Sequence, residues 1–143
     1  MKKYMSIFAD QDTHGGIKTW KDFIQVGAYR NSMGLFLNNK AIGAGSLEIE
    51  NRSKKWVHTE RMALGKSYRR KGHGVHLYEF MIAEAIKIGA TRIYSSARLN
   101  KFSRRMWKEK LARIYEVKTV VHRRYCDRCR SRCKKVERYY ISL

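Results

Sequence analysis

The chain contains no proline, three cysteines and only 12 acidic residues against 32 Lys and Arg. Without prolines, internal repeats or a linker-like stretch, nothing divides its 143 residues, and they read as one domain over 1–143. A run of about 18 apolar residues is also lacking, and the opening Met-Lys-Lys-Tyr-Met-Ser holds no sustained apolar segment. Neither a membrane span nor a secretory signal is expected, and the cytoplasm is the expected compartment. There, cysteines are expected as thiols rather than disulfides. The shortage of acids leaves a formal charge of +20, unevenly spread. Residues 1–65 hold ten cations and six acids, whereas residues 66–143 hold twenty-two and six, so the second half carries a net +16. Such a balance favours polyanionic partners, nucleic acid first.

What is present has a clear order. Tyr4 to Ala9 reads as a short strand, and Trp20, Phe23, Ile24 and Ala28 recur at helical spacing. Met33 to Leu37, Asn38-Asn39-Lys40 and Ala41 to Ile49 read as strand, tight turn and strand. After a turn over Glu50 to Lys55, Trp56 to Leu64 completes the meander. Strict alternation there puts Trp56, His58, Glu60, Met62 and Leu64 on one face. Val75, Tyr78, Ile82, Ala85 and Ile86 form the stripe of a helix that Gly89 ends. Thr91 to Ala97 reads as a buried strand, and Asn100 is placed to cap a helix reaching Leu111. Arg113 to Tyr125 and Val136 to Leu143 would then pair antiparallel around a basic loop, Cys126 to Lys135. The fold class is α/β with a mixed sheet.

Between Leu64 and Gly74 runs Leu-Gly-Lys-Ser-Tyr-Arg-Arg-Lys-Gly-His-Gly, with glycines at 72 and 74 just before the helix. Backbone amides there can approach an anion closely, and the helix start adds partial positive charge. A Walker loop is excluded, because that motif needs a glycine where Glu60 stands. A dinucleotide fingerprint is excluded too, because the preceding strand belongs to a meander.

Arg69-Arg70-Lys71-Gly72-His73-Gly74, after what would be the fourth strand, resembles the Arg/Gln-x-x-Gly-x-Gly/Ala signature of the GNAT superfamily of N-acetyltransferases. Downstream, Asn100, Ser103, Trp107 and Lys110-Leu111-Ala112 resemble that family's next motif. The resemblance implies a mostly antiparallel mixed sheet flanked by helices, with acetyl-CoA between a splayed central strand pair. Its pyrophosphate would lie on the loop Arg69, Arg70, Lys71, Gly72, His73 and Gly74, and its pantetheine arm along the backbone at Met62 and Leu64. Asn100 and Trp107 would border the cofactor. The implied activity is transfer of an acetyl group to an amine.

An attacking amine must lose a proton, and Glu60 and His58 are the candidate bases. Equally open is a structural role, with Glu60 paired to a local Arg and His58 a satisfied sheet histidine. Trp107 stands where the family commonly has a Tyr that protonates the leaving thiolate. Indole cannot do so, which leaves Tyr94, Ser103, water, or a protein without catalysis.

Two further features lie in the hairpin over 122–138. His122, Cys126, Cys129 and Cys133 form a candidate Cys3His zinc set, or simply a thiol-bearing basic loop. Arg123, Arg124, Arg128, Arg130, Arg132, Lys134, Lys135 and Arg138, among Tyr125, Tyr139 and Tyr140, suit phosphate contacts and base stacking, or a solvated face. The expected function is therefore acetyl transfer from acetyl-CoA to an amine of a nucleic-acid-associated acceptor: nucleic acid, aminoacyl-tRNA or a bound protein. The alternative is a non-catalytic protein of the same fold that binds nucleic acid or a protein partner. A small cationic amine is disfavoured by the net charge.

Overall fold

The computed structural model describes residues 3–8, 19–25, 32–126 and 130–143, with the side chains of 7, 8, 25, 122–126 and 131–134 left aside. The elements are β1 (Tyr4–Phe8), α1 (Trp20–Gln25), β2 (Ser32–Leu37), β3 (Lys40–Asn51), β4 (Trp56–Leu64), α2 (Gly74–Lys87), β5 (Arg92–Tyr94), α3 (Lys101–Arg105), β6 (Val117–Cys126) and β7 (Ser131–Ser142). One seven-stranded sheet runs in the order β1-β2-β3-β4-β5-β7-β6. All neighbours are antiparallel except β4 and β5.

Local chemistry explains the meander. Asn38 and Asn39 both take positive φ, 49° and 68°, as a two-residue hairpin turn requires and as Asn tolerates. The parallel β4–β5 pair needs a crossover, and α2 supplies it. Its stripe Leu77, Tyr78, Met81, Ile82 and Ala85 is buried over β3, β4 and β5. Beneath it the sheet presents Leu47, Val57, Ile93 and Ile141, all under 5% exposed.

Strict alternation fails on β4, and this is a correction with consequences for the site. Ala44 opposes Ala63 and Ser46 opposes Glu60, so Arg61 and Met62 together face the single residue Gly45. That is a β-bulge, and Arg61 takes φ 53° to make it. Beyond the bulge the faces exchange. Met62 moves to the α2 side, where a Cβ on Gly45 would collide with Met62 Sδ and meet Met81 Cε at 3.0 Å. Leu64 likewise packs toward the start of α2. His58 and Glu60 stay on the opposite face.

Three other expectations change. β5 is only Arg92–Tyr94: past Tyr94 the chain no longer pairs with β4, Ser95 still donates its N–H to Tyr139 O of β7, and Ser96 reaches Glu60 through its hydroxyl. The helix expected to reach Leu111 is α-helical over Lys101–Arg105, widens to a π turn over Met106–Lys110 and tightens to 3-10 over Leu111–Arg113. Most of the loop expected over Cys126–Lys135 is strand: Arg123 pairs in register with Lys135, Arg124 with Lys134 and Cys126 with Ser131.

Candidate active site

The site begins where two parallel strands part. β4 pairs with β5 only through Trp56↔Arg92, Val57↔Ile93 and His58↔Tyr94. β4 continues to Leu64, so the edge of Thr59–Leu64 that faces away from β3 has no β5 partner. The chain leaving β5 is held apart by β7. Ser95 N–H donates to Tyr139 O at 2.8 Å, Tyr139 N–H donates to Ser95 Oγ at 3.1 Å, and Arg138 donates twice to Ser95 O, at 3.2 and 2.7 Å. The outcome is a wedge with backbone groups along one side.

Below the wedge lies the glycine loop. Gly65 N–H donates to Ile42 O at 2.7 Å, and Arg69 Nε donates to Leu64 O at 3.0 Å, tying the loop to the strands. Arg70 at φ 61° and Gly72 at φ 85° are left-handed, and together they turn the chain into α2. No side chain caps that helix start, so its first-turn amides keep the donors that a helix N-terminus leaves over. His73 is buried, with Nδ1 2.7 Å from Tyr4 Oη. Arg69, Arg70, Lys71 and Gly72 are exposed. This fits an anion gripped by backbone rather than by side chains.

A polar cluster occupies the other sheet face at the apex of the wedge. Glu48 opposes His58 across β3 and β4, with Glu48 Oε2 3.3 Å from His58 Nε2. Glu60 Oε1 lies 3.5 Å from the same nitrogen and accepts from Ser96 Oγ at 3.2 Å, so Glu60 reaches across the wedge. His58 Nδ1 is 2.9 Å from Glu50 Oε2, within ion-pair range though without hydrogen-bond alignment. Burial pushes the Glu50 carboxyl up, but the adjacent His58 and the bonds from Arg138 outweigh it and hold the group at about 2. Arg138 grips both Glu50 oxygens.

Sequence reasoning placed Glu60 and His58 together, and the structure keeps them together. It missed Glu48 and Glu50, whose signal is present: Glu48-Ile49-Glu50 alternates acid and apolar on the strand paired with His58. Arg138 and Tyr139, expected on a basic exposed surface, are 6% and 1% exposed. Burial and the Glu50 pairing remove Arg138 from that surface, and Tyr139 fills the core.

Asn100 caps α3, accepting from Ser103 N–H at 2.8 Å. Trp107 is fully buried and packs edge-on against Tyr78, ring centroids 5.7 Å apart. Burial pushes the Tyr78 phenol up to about 12 against the opposing influence of Ser103. The indole N–H lies close to that hydroxyl without the alignment of a hydrogen bond. Tyr94, named as a substitute acid, accepts from Arg92 at 3.0 Å.

For the zinc set, Cys129 lies outside the described residues, as do the side chains of His122, Cys126 and Cys133. The backbone is strand from His122 to Cys126, which separates two would-be ligands by roughly 13 Å along the chain. Arg128 is likewise outside the described residues, as are the side chains of Arg123, Arg124, Arg132 and Lys134, whereas Arg130 and Lys135 are exposed.

No curated protein matches the sequence. Among solved structures, N-acetylglutamate synthase from Neisseria gonorrhoeae, with coenzyme A and N-acetyl-glutamate, aligns at 13% identity and TM-score 0.59 over 99% of this chain. The chain spans only about a third of that protein, 35%. Diaminobutyrate acetyltransferase from Paenibacillus lautus, with its substrate and coenzyme A, aligns at 15% identity and TM-score 0.57, covering 99% of this chain and 95% of that one. A Bacillus subtilis acetyltransferase in complex with CoA aligns at 17% and 0.57, covering 78% and 76%. At these identities the likeness is one of fold. The family model described as Acetyltransferase (GNAT) family matches residues 2–112, spanning β1, the wedge, the glycine loop and α3, and the chain belongs to that family.

Proposed function

We propose that the protein is an acetyl-CoA-dependent N-acetyltransferase acting in the cytoplasm by direct transfer to an amine of a nucleic-acid-associated acceptor. The observation that carries the reading is the wedge: β4 presents an unpaired edge beside an uncapped helix start, with a carboxylate and an imidazole at its apex. Acetyl-CoA supplies the thioester. The amides from Arg70 to Gly74 hold its pyrophosphate, and the free β4 edge near Met62 and Leu64 aligns its arm. An amide near Met62 polarises the thioester carbonyl, a fixed donor that needs no reorganisation during reaction. Because the bulge turns both side chains toward α2, Met62 and Leu64 act through backbone alone.

Glu60 receives the proton of the incoming amine, and His58, in contact with it, orients the carboxylate. Water supplies the proton that the leaving thiolate takes, since Trp107 is buried in the core. The acceptor assignment rests on the +16 carried by residues 66–143 and on exposed cations such as Arg130 and Lys135. Zinc at His122, Cys126, Cys129 and Cys133 has no part in this reading.

Trp107 in place of an acid favours one second reading, a non-catalytic member of the fold that binds nucleic acid or a protein partner. Thiol release from acetyl-CoA with mixed amines, lysine peptides and charged tRNA separates the two. The expected result is turnover that falls about a hundredfold in Glu60→Gln. Tight acetyl-CoA binding with no release on any acceptor overturns the enzymatic reading.

A further inference from the structure

On the sheet face away from α2, cations and aromatic rings alternate across four strands. Trp56 of β4, Arg92 and Tyr94 of β5 and Tyr140 of β7 share that face with His58, because Trp56 pairs with Arg92, His58 with Tyr94, and Tyr94 with Tyr140. Lys118 of β6 stands opposite Tyr140, and Lys54 comes from the turn before β4. Lys54 Nζ and the Arg92 guanidinium each lie 4.6 Å from the centre of the Trp56 ring. The same guanidinium lies 4.6 Å from the centre of the Tyr140 ring, and Lys118 Nζ lies 6.0 Å from it. Tyr94 stacks on Tyr140 at 5.0 Å and accepts from Arg92 Nη1 at 3.0 Å.

These cations are left over by the fold. Among the described residues, no carboxylate lies within ion-pair distance of Lys54, Arg92 or Lys118. Lys54 and Lys118 are exposed, and Trp56, Arg92 and Tyr140 are half-buried. Two rings and a hydroxyl hold the Arg92 guanidinium, so its fork of donors is ordered before any partner arrives.

We propose that this row is a docking surface for a single strand of nucleic acid, with phosphates on Lys54, Arg92 and Lys118 and bases against Trp56 and Tyr140. Charge complementarity selects a polyanion. The rings select one whose bases are free to stack, which a duplex keeps inside and an acidic peptide lacks. Crossing β4, β5, β7 and β6 takes three strand spacings, about 14 Å, so the row holds a short stretch of strand. Trp56 stands two residues before His58 on the same face, about 7 Å along β4. A strand on the row thus passes beside His58. That it carries the acceptor amine rests on the acetyltransferase reading above, whereas the docking itself does not.

The test is fluorescence anisotropy of a short labelled oligothymidylate on the full chain without acetyl-CoA, over a series of salt concentrations. Lys54→Gln combined with Lys118→Gln is expected to lower the slope of log K against log salt by about 1.4, two phosphate contacts on a single strand. Trp56→Leu should weaken binding about tenfold with the slope unchanged, because stacking releases no counterions, while Trp56→Phe retains most of the affinity. Arg92→Gln should lower affinity and slope together. The two lysines are exposed, so their variant carries the test even if Trp56→Leu does not fold. Unchanged affinity and slope in the lysine variant, or wild-type affinity in a folded Trp56→Leu, overturns the proposal. Because acetyl-CoA is absent, that failure leaves the acetyltransferase reading standing, and a lack of thiol release on any amine leaves the docking surface standing.

Discussion

Arg138 is a cation that the fold has withdrawn from the surface. At 6% exposure its guanidinium must be paired, and it is, to Glu50 and to the carbonyl of Ser95. The pairing makes Glu50 a stability group with a definite pH dependence. Burial raises its carboxyl, but the adjacent His58 and the bonds from Arg138 prevail and bring it to about 2, below the ordinary 4.5. A carboxyl lowered by folding stabilises fully above its unfolded value and loses that contribution as pH falls through the folded one. Urea midpoints are therefore expected to decline as pH drops from about 4.5 toward 2. In Glu50→Gln the decline should flatten, with stability already reduced at neutral pH because Arg138 is left buried and unpaired. A wild-type profile level across that window would show that Glu50 is not held this way.

Among the elements, the turn into α2 makes the sharpest demand on sequence. Gly72 sits at φ 85° with nothing within 4 Å of an added Cβ, so its requirement is conformational and not steric. Gly72→Ala should cost about 1–2 kcal/mol in thermal unfolding. It should also weaken acetyl-CoA binding in calorimetric titration, because the amides on either side move. Gly74→Ala is a useful contrast, since the close contact of its Cβ would be Met106 Cε, at 2.8 Å, the far end of a flexible side chain, with Leu64 Cδ1 at an ordinary 3.7 Å. Equal acetyl-CoA affinity in wild type and Gly72→Ala would separate the loop from the anion. The π turn over Met106–Lys110 belongs to the same scale: it places Trp107 against Tyr78 at zero exposure, and a large aromatic suits that packed position.

At the scale of the whole molecule two opposite fields coexist: a basic second half and a small acidic site. The β6–β7 hairpin concentrates the first, with Arg123 opposite Lys135 and Arg124 opposite Lys134 in register. Like charges at opposed register positions are expected to favour the polyanionic partner proposed above. Binding of single-stranded oligonucleotide should weaken steeply with salt. Replacing Arg123, Arg124, Lys134 and Lys135 with serine should reduce the slope of log K against log salt by about 3 if all four contact phosphate. An unchanged slope would remove this hairpin as a polyanion-binding surface.

Much of this architecture is legible in local pattern. The bounds of β4, the Asn38-Asn39 turn, the stripe of α2 and the glycine loop follow from periodicities and backbone preferences that neighbouring residues impose on one another. The pair His58 and Glu60 is legible for the same reason, since alternation before the bulge puts both on one face. What alternation could not reveal is the bulge itself. Nothing local to Arg61 requires φ 53°; it follows from matching β4 to β3 across Gly45 while Met62 tucks under Met81. Nor could composition show that Arg138 is buried or that Glu48 and Glu50 come to His58, because those partners are separated by 88, 10 and 8 positions and meet only through sheet order. The sequence by itself determined the elements and the anion-binding loop, which depend on short-range sterics and spacing. Tertiary structure alone decided the parting of β4 from β5 and the negative sign of the site, because both depend on which distant strands lie side by side.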